Sequence, residues 1–255
     1  IRAVYVDDSK NLFVGSNDLS YFNLSDIKPD GSVAFHKIRI PKSTTKPNWI
    51  SSLAKTPEGK LWVATRNWGA FIFDVRHPER GLVKAPFSEL NLQNIFTDSK
   101  GRTWIGTWEG GAGIYDSTLK RHTTFSADGS STSIGHNLVT QFGEDRQGNI
   151  WIATDNGLSK FNAGNDPFES KEVVTYVHDR FLDHSLLSNP IKGLYFDRDN
   201  RMWVGSYFGG INVYDPSLPE FNSYKPNVNE KNGLSNGNVT AFSLDKSGQL
   251  WIGSD

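Results

Sequence analysis

Leu92-Gln93-Asn94-Ile95-Phe96-Thr97, Asp98-Ser99-Lys100-Gly101, Arg102-Thr103-Trp104-Ile105-Gly106-Thr107 is the stretch whose reading decides the fold. Two short strand-like segments flank a four-residue polar turn. Asp98 opens the turn because its carboxylate can accept a backbone N–H two residues on. Gly101 closes it by supplying the positive φ that a type I turn with a bulge requires. The pattern Asp-x-x-Gly-x-(Leu/Ile/Met/Thr)-Trp-(Ile/Val)-(Gly/Ala)-(Ser/Thr) returns along the chain, and its aromatic falls at Phe13, Trp62, Trp104, Trp151, Trp203 and Trp251. Successive spacings are 49, 42, 47, 52 and 48 residues, a mean of 238/5 = 47.6. A period of this length marks a stacked repeat architecture.

The copies depart from the pattern in ways a structural turn predicts. Asp98/Gly101, Asp145/Gly148 and Asp245/Gly248 fit in full, and Asp197 pairs with Asn200, a residue that tolerates the left-handed region. The second copy keeps Gly59 but opens on Thr56; the first keeps Asp7 but has Lys10. The Asp of these turns is therefore read as scaffold. After each aromatic comes a small residue, then usually a second turn (Trp68-Gly69, Gly110-Gly111, Asn156-Gly157, Gly209-Gly210), a third strand and a more variable fourth. The fourth strands are expected at Val33 to Ile40, Leu82 to Phe87, His122 to Ser126, Val173 to His178 and Phe221 to Lys225.

Four antiparallel strands per repeat of about 40–50 residues describe the blade of a β-propeller. The expected blades are 1–47, 48–90, 91–136, 137–187 and 188–236, with 237–255 half of a sixth. The fold class is all-β, and the repeating aromatic is expected to wedge between neighbouring blades. Strands that would close the ring are missing, so the chain reads as a truncated arc of a larger propeller, with exposed edges that favour self-association or a homodimer.

Composition removes several function classes. With 27 basic and 28 acidic side chains the net charge is -1, which gives no electrostatic case for nucleic acid. No apolar run approaches the roughly 20 residues of a membrane span. There are no cysteines, so disulfides and thiolate metal sites are excluded. Twenty-four glycines and 32 aromatics suit β structure with tight turns. No cofactor or metal site is expected. The six histidines are scattered, and His178 and His184 with Asp179 and Asp183 lack a metal-ligand pattern. Asp197-Arg198-Asp199-Asn200 lacks the glycine and distal Glu of a calcium loop. Ser43-Thr44-Thr45-Lys46 matches an acyl-transfer motif with nothing elsewhere to support it.

The phrases Glu144-Asp145-Arg146-Gln147-Gly148-Asn149-Ile150-Trp151-Ile152-Ala153-Thr154-Asp155-Asn156-Gly157-Leu158 and Gly233-Leu234-Ser235-Asn236 resemble the two-component regulator propeller repeat. The resemblance runs through all six copies, the first departing most. It implies the periplasmic sensor region of a hybrid two-component regulator, built of seven-bladed propellers, with the histidine kinase elsewhere in the parent protein. It also implies an oligosaccharide ligand and no catalysis in this part of the chain.

In a propeller, the loops after the second strands share one face with the loops leading into the first strands. The former hold Arg66, Asn67, Trp68, Trp108, Glu109, Asp155, Asn156, Tyr207 and Phe208; the latter hold Trp49 and His136. Aromatic planes beside charged and amide groups suit sugar faces and hydroxyls. These residues are the candidate ligand contacts. The competing reading is that Trp68, Trp108 and Tyr207 fill gaps at blade tops, and that the chain is a protein-interaction scaffold. Asn48, Asn91, Asn137, Asn189 and Asn238 are read as turn caps. A third reading is a lyase or glycosidase, but its paired carboxylates are not identifiable: Glu109 and Asp155 fall on adjacent blades, and the sequence does not give their separation.

Overall fold

The computed structural model describes residues 1–41, 48–87, 91–182, 184–224, 226, 233–234 and 236–254; the Ser43–Lys46 motif, Asp183 and Ser235 lie outside them. Five four-stranded antiparallel sheets follow one another along the chain. The first is Ala3–Val6 (β1), Asn11–Gly15 (β2), Leu19–Asn23 (β3) and His36–Ile38 (β4). The second is Ile50–Lys55 (β5), Leu61–Thr65 (β6), Gly69–Phe73 (β7) and Val83–Lys84 (β8). The third is Leu92–Thr97 (β9), Thr103–Thr107 (β10), Ala112–Tyr115 (β11) and His122–Phe125 (β12). The fourth is Val139–Glu144 (β13), Ile150–Thr154 (β14), Gly157–Phe161 (β15) and Val174–Tyr176 (β16). The fifth is Ile191–Phe196 (β17), Met202–Ser206 (β18), Gly210–Asp215 (β19) and Leu218–Tyr224 (β20). A two-stranded sheet, Val239–Leu244 (β21) and Leu250–Ser254 (β22), follows. Strands pair in chain order within every sheet, the blade meander that the repeat length predicts. The variable fourth strands are mostly shorter than their sequence suggests; β8 is two residues against the six of Leu82 to Phe87.

All six turns between first and second strands close as the pattern requires. The fourth residue of each turn donates its N–H to the carbonyl of the first: Lys10, Gly59, Gly101, Gly148, Asn200 and Gly248 to Asp7, Thr56, Asp98, Asp145, Asp197 and Asp245. Each of these fourth residues has positive φ, including Lys10 at 66° and Asn200 at 63°. Lys10 thus adopts the left-handed backbone without the glycine that would make it easy.

The turn aspartate does more than cap. In the fourth repeat, Asp145 Oδ1 accepts the backbone N–H of Gln147 at 3.1 Å and of Asn149 at 2.9 Å. Its Oδ2 accepts the indole N–H of Trp151 at 2.9 Å. The same i→i+6 bond joins Trp104 to Asp98 at 2.8 Å, Trp203 to Asp197 at 3.0 Å and Trp251 to Asp245 at 3.0 Å. One carboxylate therefore fixes both the turn and the orientation of the aromatic six residues on. In the first repeat the aromatic is Phe13, and Asp7 Oδ2 accepts Asn11 Nδ2 instead. In the second, Thr56 Oγ1 accepts only the N–H of Lys60, at 3.1 Å, and the buried indole nitrogen of Trp62 has no partner. The acceptor bonds hold the Asp245 carboxyl well below the usual carboxylate range, led by the Ser247 hydroxyl and the Trp251 indole. Burial raises the Asp197 carboxyl, but the Trp203 indole, the amides of Arg201 and Asp199 and the Arg201 charge outweigh it and lower it.

Residues 1–107 with 113–122 form one compact unit, and 108–112 with 123–255 form the second. In the first unit, Phe13 packs with Leu19 and Tyr21 of its own sheet and with Ile50, Phe71 and Phe73 of the next. Trp62 packs with Leu92, Ile95, Ile105 and Tyr115 of the third sheet. In the second unit, Trp151 meets Ile191, Leu194, Met202 and Val204 of the fifth sheet, with the Tyr214 ring at 5.2 Å. These side chains are the expected inter-sheet wedges, and the second strands that carry Trp62, Trp104 and Trp151 are buried along their whole length. Trp251 is a correction to the wedge reading: it is 63% exposed, yet keeps its bond to Asp245. The turn bond forms without the burial.

Candidate functional site

The loops after the second strands are built to meet the loops leading into first strands. Arg66 donates its N–H to Trp49 O, Asp155 to Leu138 O and Tyr207 to Pro190 O, each within one repeat. The glycine of the second turn then reaches the following repeat: Gly157 to Asn189 O, and Gly210 to Gly237 O. At Gly157 a Cβ would sit 2.4 Å from Tyr176 O, so this turn needs glycine for closeness as well as for its φ of 96°. Of the five lead-in asparagines read as caps, four accept a backbone N–H, Asn137 from Ala127; Asn91 is a correction, its Oδ1 being buried without a partner. Asn48 Oδ1 accepts Asn67 N–H, Asn189 Oδ1 accepts His178 N–H, and Asn238 Oδ1 accepts Phe208 N–H.

In the first unit, three of the candidate residues come together and one is withdrawn. The guanidinium of Arg2 lies 4.5 Å from the centre of the Trp49 ring, and that of Arg66 lies 5.9 Å from it. A cation over an indole face is held by the ring quadrupole. Asn67 sits beside them, tied through its backbone to Asn48. The Asn48 Nδ2 is buried without a partner, so a donor is held next to Trp49. Trp68 is the correction. It is 6% exposed and belongs to the core with Phe13, Leu19 and Ile50, and its N–H donates to Thr65 Oγ1. Its ring fills the top of the sheet interface and presents no face to a ligand.

The second unit holds another grouping. Asp155 pairs with Lys192 at 3.0 Å, and the Lys192 ammonium stands 5.7 Å from the centre of the Tyr207 ring. Tyr207 and Phe208 have ring centres 4.0 Å apart, and Phe208 is 74% exposed with a φ of 64°. Trp108 is 39% exposed, and Glu109 is exposed too. His136 is exposed, and its Nδ1 accepts the N–H of Leu138 within its own loop. Asn156 is structural: its amide bridges Gly135 O and Asn189 Nδ2.

Sequence reasoning missed Arg2 and Lys192. Lys192 had a legible signal. The first strands of the second to sixth sheets carry a register shift near their start, between Ile50 and Ser52, Leu92 and Asn94, Val139 and Gln141, Ile191 and Gly193, and Val239 and Ala241. A bulge re-aims the extra side chain. At three of these places it is a small hydroxyl, Ser51, Thr140 or Thr240, bonded to a carbonyl of the second strand. At the fourth it is Gln93, and at the fifth it is Lys192, the one cation of the set, whose stem reaches the loops instead. Among the described residues no group of three or more acidic or histidine side chains is placed to hold a metal, and no helix is long and apolar enough to cross a membrane.

The sheets, their turn clamps and their wedges define a β-propeller type of chain. Comparison with known families makes that specific: the two component regulator propeller model matches residues 46–67, 133–156, 185–208 and 233–255. Four of the six repeats therefore match the two-component regulator propeller repeat. Solved structures share the fold at low identity. The extracellular domain of a protein described as a one-component system of Bacteroides thetaiotaomicron is 20% identical, with a TM-score of 0.51, over 100% of this chain and 39% of that one. PorZ, a bacterial surface component of the type-IX secretion system of Porphyromonas gingivalis, is 17% identical with a TM-score of 0.68, over 99% of this chain and 37% of that one. Virginiamycin B lyase of Staphylococcus aureus is 15% identical with a TM-score of 0.69, over 99% and 77%. The chain thus spans little more than a third of the first two proteins. A comparison with curated proteins found no match.

Proposed function

We propose that this chain is part of the extracytoplasmic sensor region of a two-component signalling protein, binding an oligosaccharide without chemical turnover. The repeat family supports the signalling role, since its repeats are those of two-component regulators. One observation carries the ligand class. In each unit the loop cluster pairs an aromatic ring with cations, where the repeat itself asks only for a turn or a small hydroxyl: Trp49 with Arg2 and Arg66, Tyr207 with Lys192. Rings stack on sugar faces, and guanidinium and ammonium groups bond hydroxyls or carboxylates. The Arg2 and Arg66 guanidiniums favour an oligosaccharide that carries acidic groups, whereas the Lys192 charge is already met by Asp155. Asp155 is engaged by Lys192, an arrangement suited to holding a ligand rather than to shuttling protons. Binding would signal by shifting a pre-existing equilibrium between arrangements of copies or domains, which requires unequal affinity for the two arrangements.

Calorimetric titration with matched acidic and neutral oligosaccharides tests this reading. Heat is expected with an acidic oligosaccharide, and Trp49→Ala or Lys192→Ala should weaken it by about tenfold or more. Absence of heat across the panel, or product formation on prolonged incubation, would refute it.

A further inference from the structure

At the opposite end of β5 from Trp49, the first unit contains a cleft of about 240 Å³ between the first two sheets. It opens between the turns Asp7–Lys10 and Thr56–Lys60, directly under Phe13. This is where the sequence departs twice from its own pattern. In the third to sixth repeats an indole fills the corresponding direction, its Nε1 reaching the turn aspartate. The phenyl ring of Phe13 has no such extension, and Asp7 Oδ2 turns to Asn11. Opposite Phe13 in the strand pair stands Tyr5, a partly exposed ring whose centre is 6.4 Å from that of Phe13. A comparable cleft in the second unit, beside Trp203, has Tyr195, the Asp197–Arg201 turn and Trp203 of the fifth sheet on one side, and on the other only the two strands and the turn of the last sheet, at Leu244, Gly248 and Leu250. The first cleft has a third-strand wall as well, from Phe73 to Arg76.

The rim is balanced in charge: Asp7, Asp8 and Glu58 against Lys55, Lys60 and Arg76. Asp8 and Lys55 form an ion pair at 2.5 Å that joins the two sheets across the mouth. Asp74 holds Arg76 through two guanidinium hydrogen bonds at 3.0 Å. A site with no net charge, many donors and acceptors and an aromatic wall selects a neutral polyhydroxylated ring. Its size lies below the roughly 300–1,000 Å³ of drug-sized pockets, which limits the ligand to one ring.

We infer that the Phe13 cleft is a second binding site, for a neutral monosaccharide-sized ring stacked on Tyr5 and hydrogen-bonded to Asp8, Lys55 and Glu58. It stands apart from the loop clusters and does not depend on their assignment. The test is an amide chemical-shift titration of the protein with glucose, galactose, mannose, N-acetylglucosamine and inositol, each tried alone. At least one is expected to give saturable shifts confined to Ser9, Lys55 and Glu58–Leu61, with a dissociation constant on the order of millimolar. Phe13→Trp restores the pattern of the other repeats and supplies an indole for Asp7. It should raise the melting temperature and weaken that binding about tenfold or more. Tyr5→Ala, which leaves the turn clamp intact, should weaken it similarly if Phe13→Trp fails to fold. The inference is overturned if none of the five probes gives saturable shifts at these residues. Unchanged affinity in a folded Phe13→Trp or Tyr5→Ala protein would overturn it too.

Discussion

The turn of the fourth repeat and the turn of the second have the same backbone and different chemistry. Both close on a glycine with positive φ, and both lead to a tryptophan that is 1% exposed between two sheets. At Asp145 the carboxylate satisfies two backbone amides and the indole of Trp151. At Thr56 one hydroxyl satisfies a single amide, and the indole of Trp62 is buried without a partner. Burial alone is therefore enough to place the wedge. The carboxylate adds hydrogen-bond satisfaction to it. An unmade bond on a buried donor costs about 1–3 kcal/mol, so the second repeat holds its wedge at a disadvantage the fourth does not have.

The largest effect is expected where the wedge itself is removed. Trp151→Ala should cost about 3–5 kcal/mol, through lost transfer energy and a residual cavity against Met202 and Tyr214. Urea unfolding read by far-ultraviolet dichroism checks this, and a midpoint that barely moves would remove the wedge from the account of the fold. The comparison predicts the opposite sign at the second repeat. Thr56→Asp should stabilise by about 1–2 kcal/mol, because it supplies the missing acceptor for Trp62. Lys60, four residues on, occupies the place from which Arg102 approaches the buried Asp98 at 2.5 Å, so a counter-charge is already in position. If Thr56→Asp destabilises, the carboxylate's desolvation outweighs the bond and the two turns are not interchangeable.

The smallest effect is in titration. The Asp197 carboxyl is lowered in the folded chain, so its stabilising contribution is fully present above the unfolded carboxylate value of about 4. That contribution is lost as pH falls through the folded value. Trp203→Phe removes the indole donor and should move the Asp197 titration upward, as followed by carboxyl carbon resonances. An unmoved titration would mean that the amides of Asp199 and Arg201 and the Arg201 charge set it without the indole.

The architecture was legible because its signals are local. Asp98, Gly101 and Trp104 lie within seven residues of each other, and each acts through the backbone of its own hairpin. The i→i+6 bond from indole to aspartate was not legible. It depends on how far the closed turn bends back over the second strand, which no residue type states. The candidate site was read in part. The loops were identified, and Trp49 and Arg66 do meet, but Trp68 resembled them in sequence and is core in the structure. Its burial is set by Phe13, Leu19 and Ile50, which belong to the first sheet and to the next strand in space. Arg2 was invisible for the same reason, since its partner Trp49 is distant in sequence. Lys192 could have been found by asking why a long cation replaces the hydroxyl of Ser51, Thr140 and Thr240 at one strand position.

The link between turn and aromatic is contained within seven residues, and it has come apart in two different ways. The first repeat keeps the acceptor and lacks the indole; the second keeps the indole and lacks the acceptor. Neither loss disturbs the meander of its sheet. An array whose units each carry their own fastening can change one unit at a time, because a fault in one hairpin is not passed to the next. Such a chain can change the clamp of one unit without disturbing the sheets beside it, and the same property makes single units exchangeable by recombination.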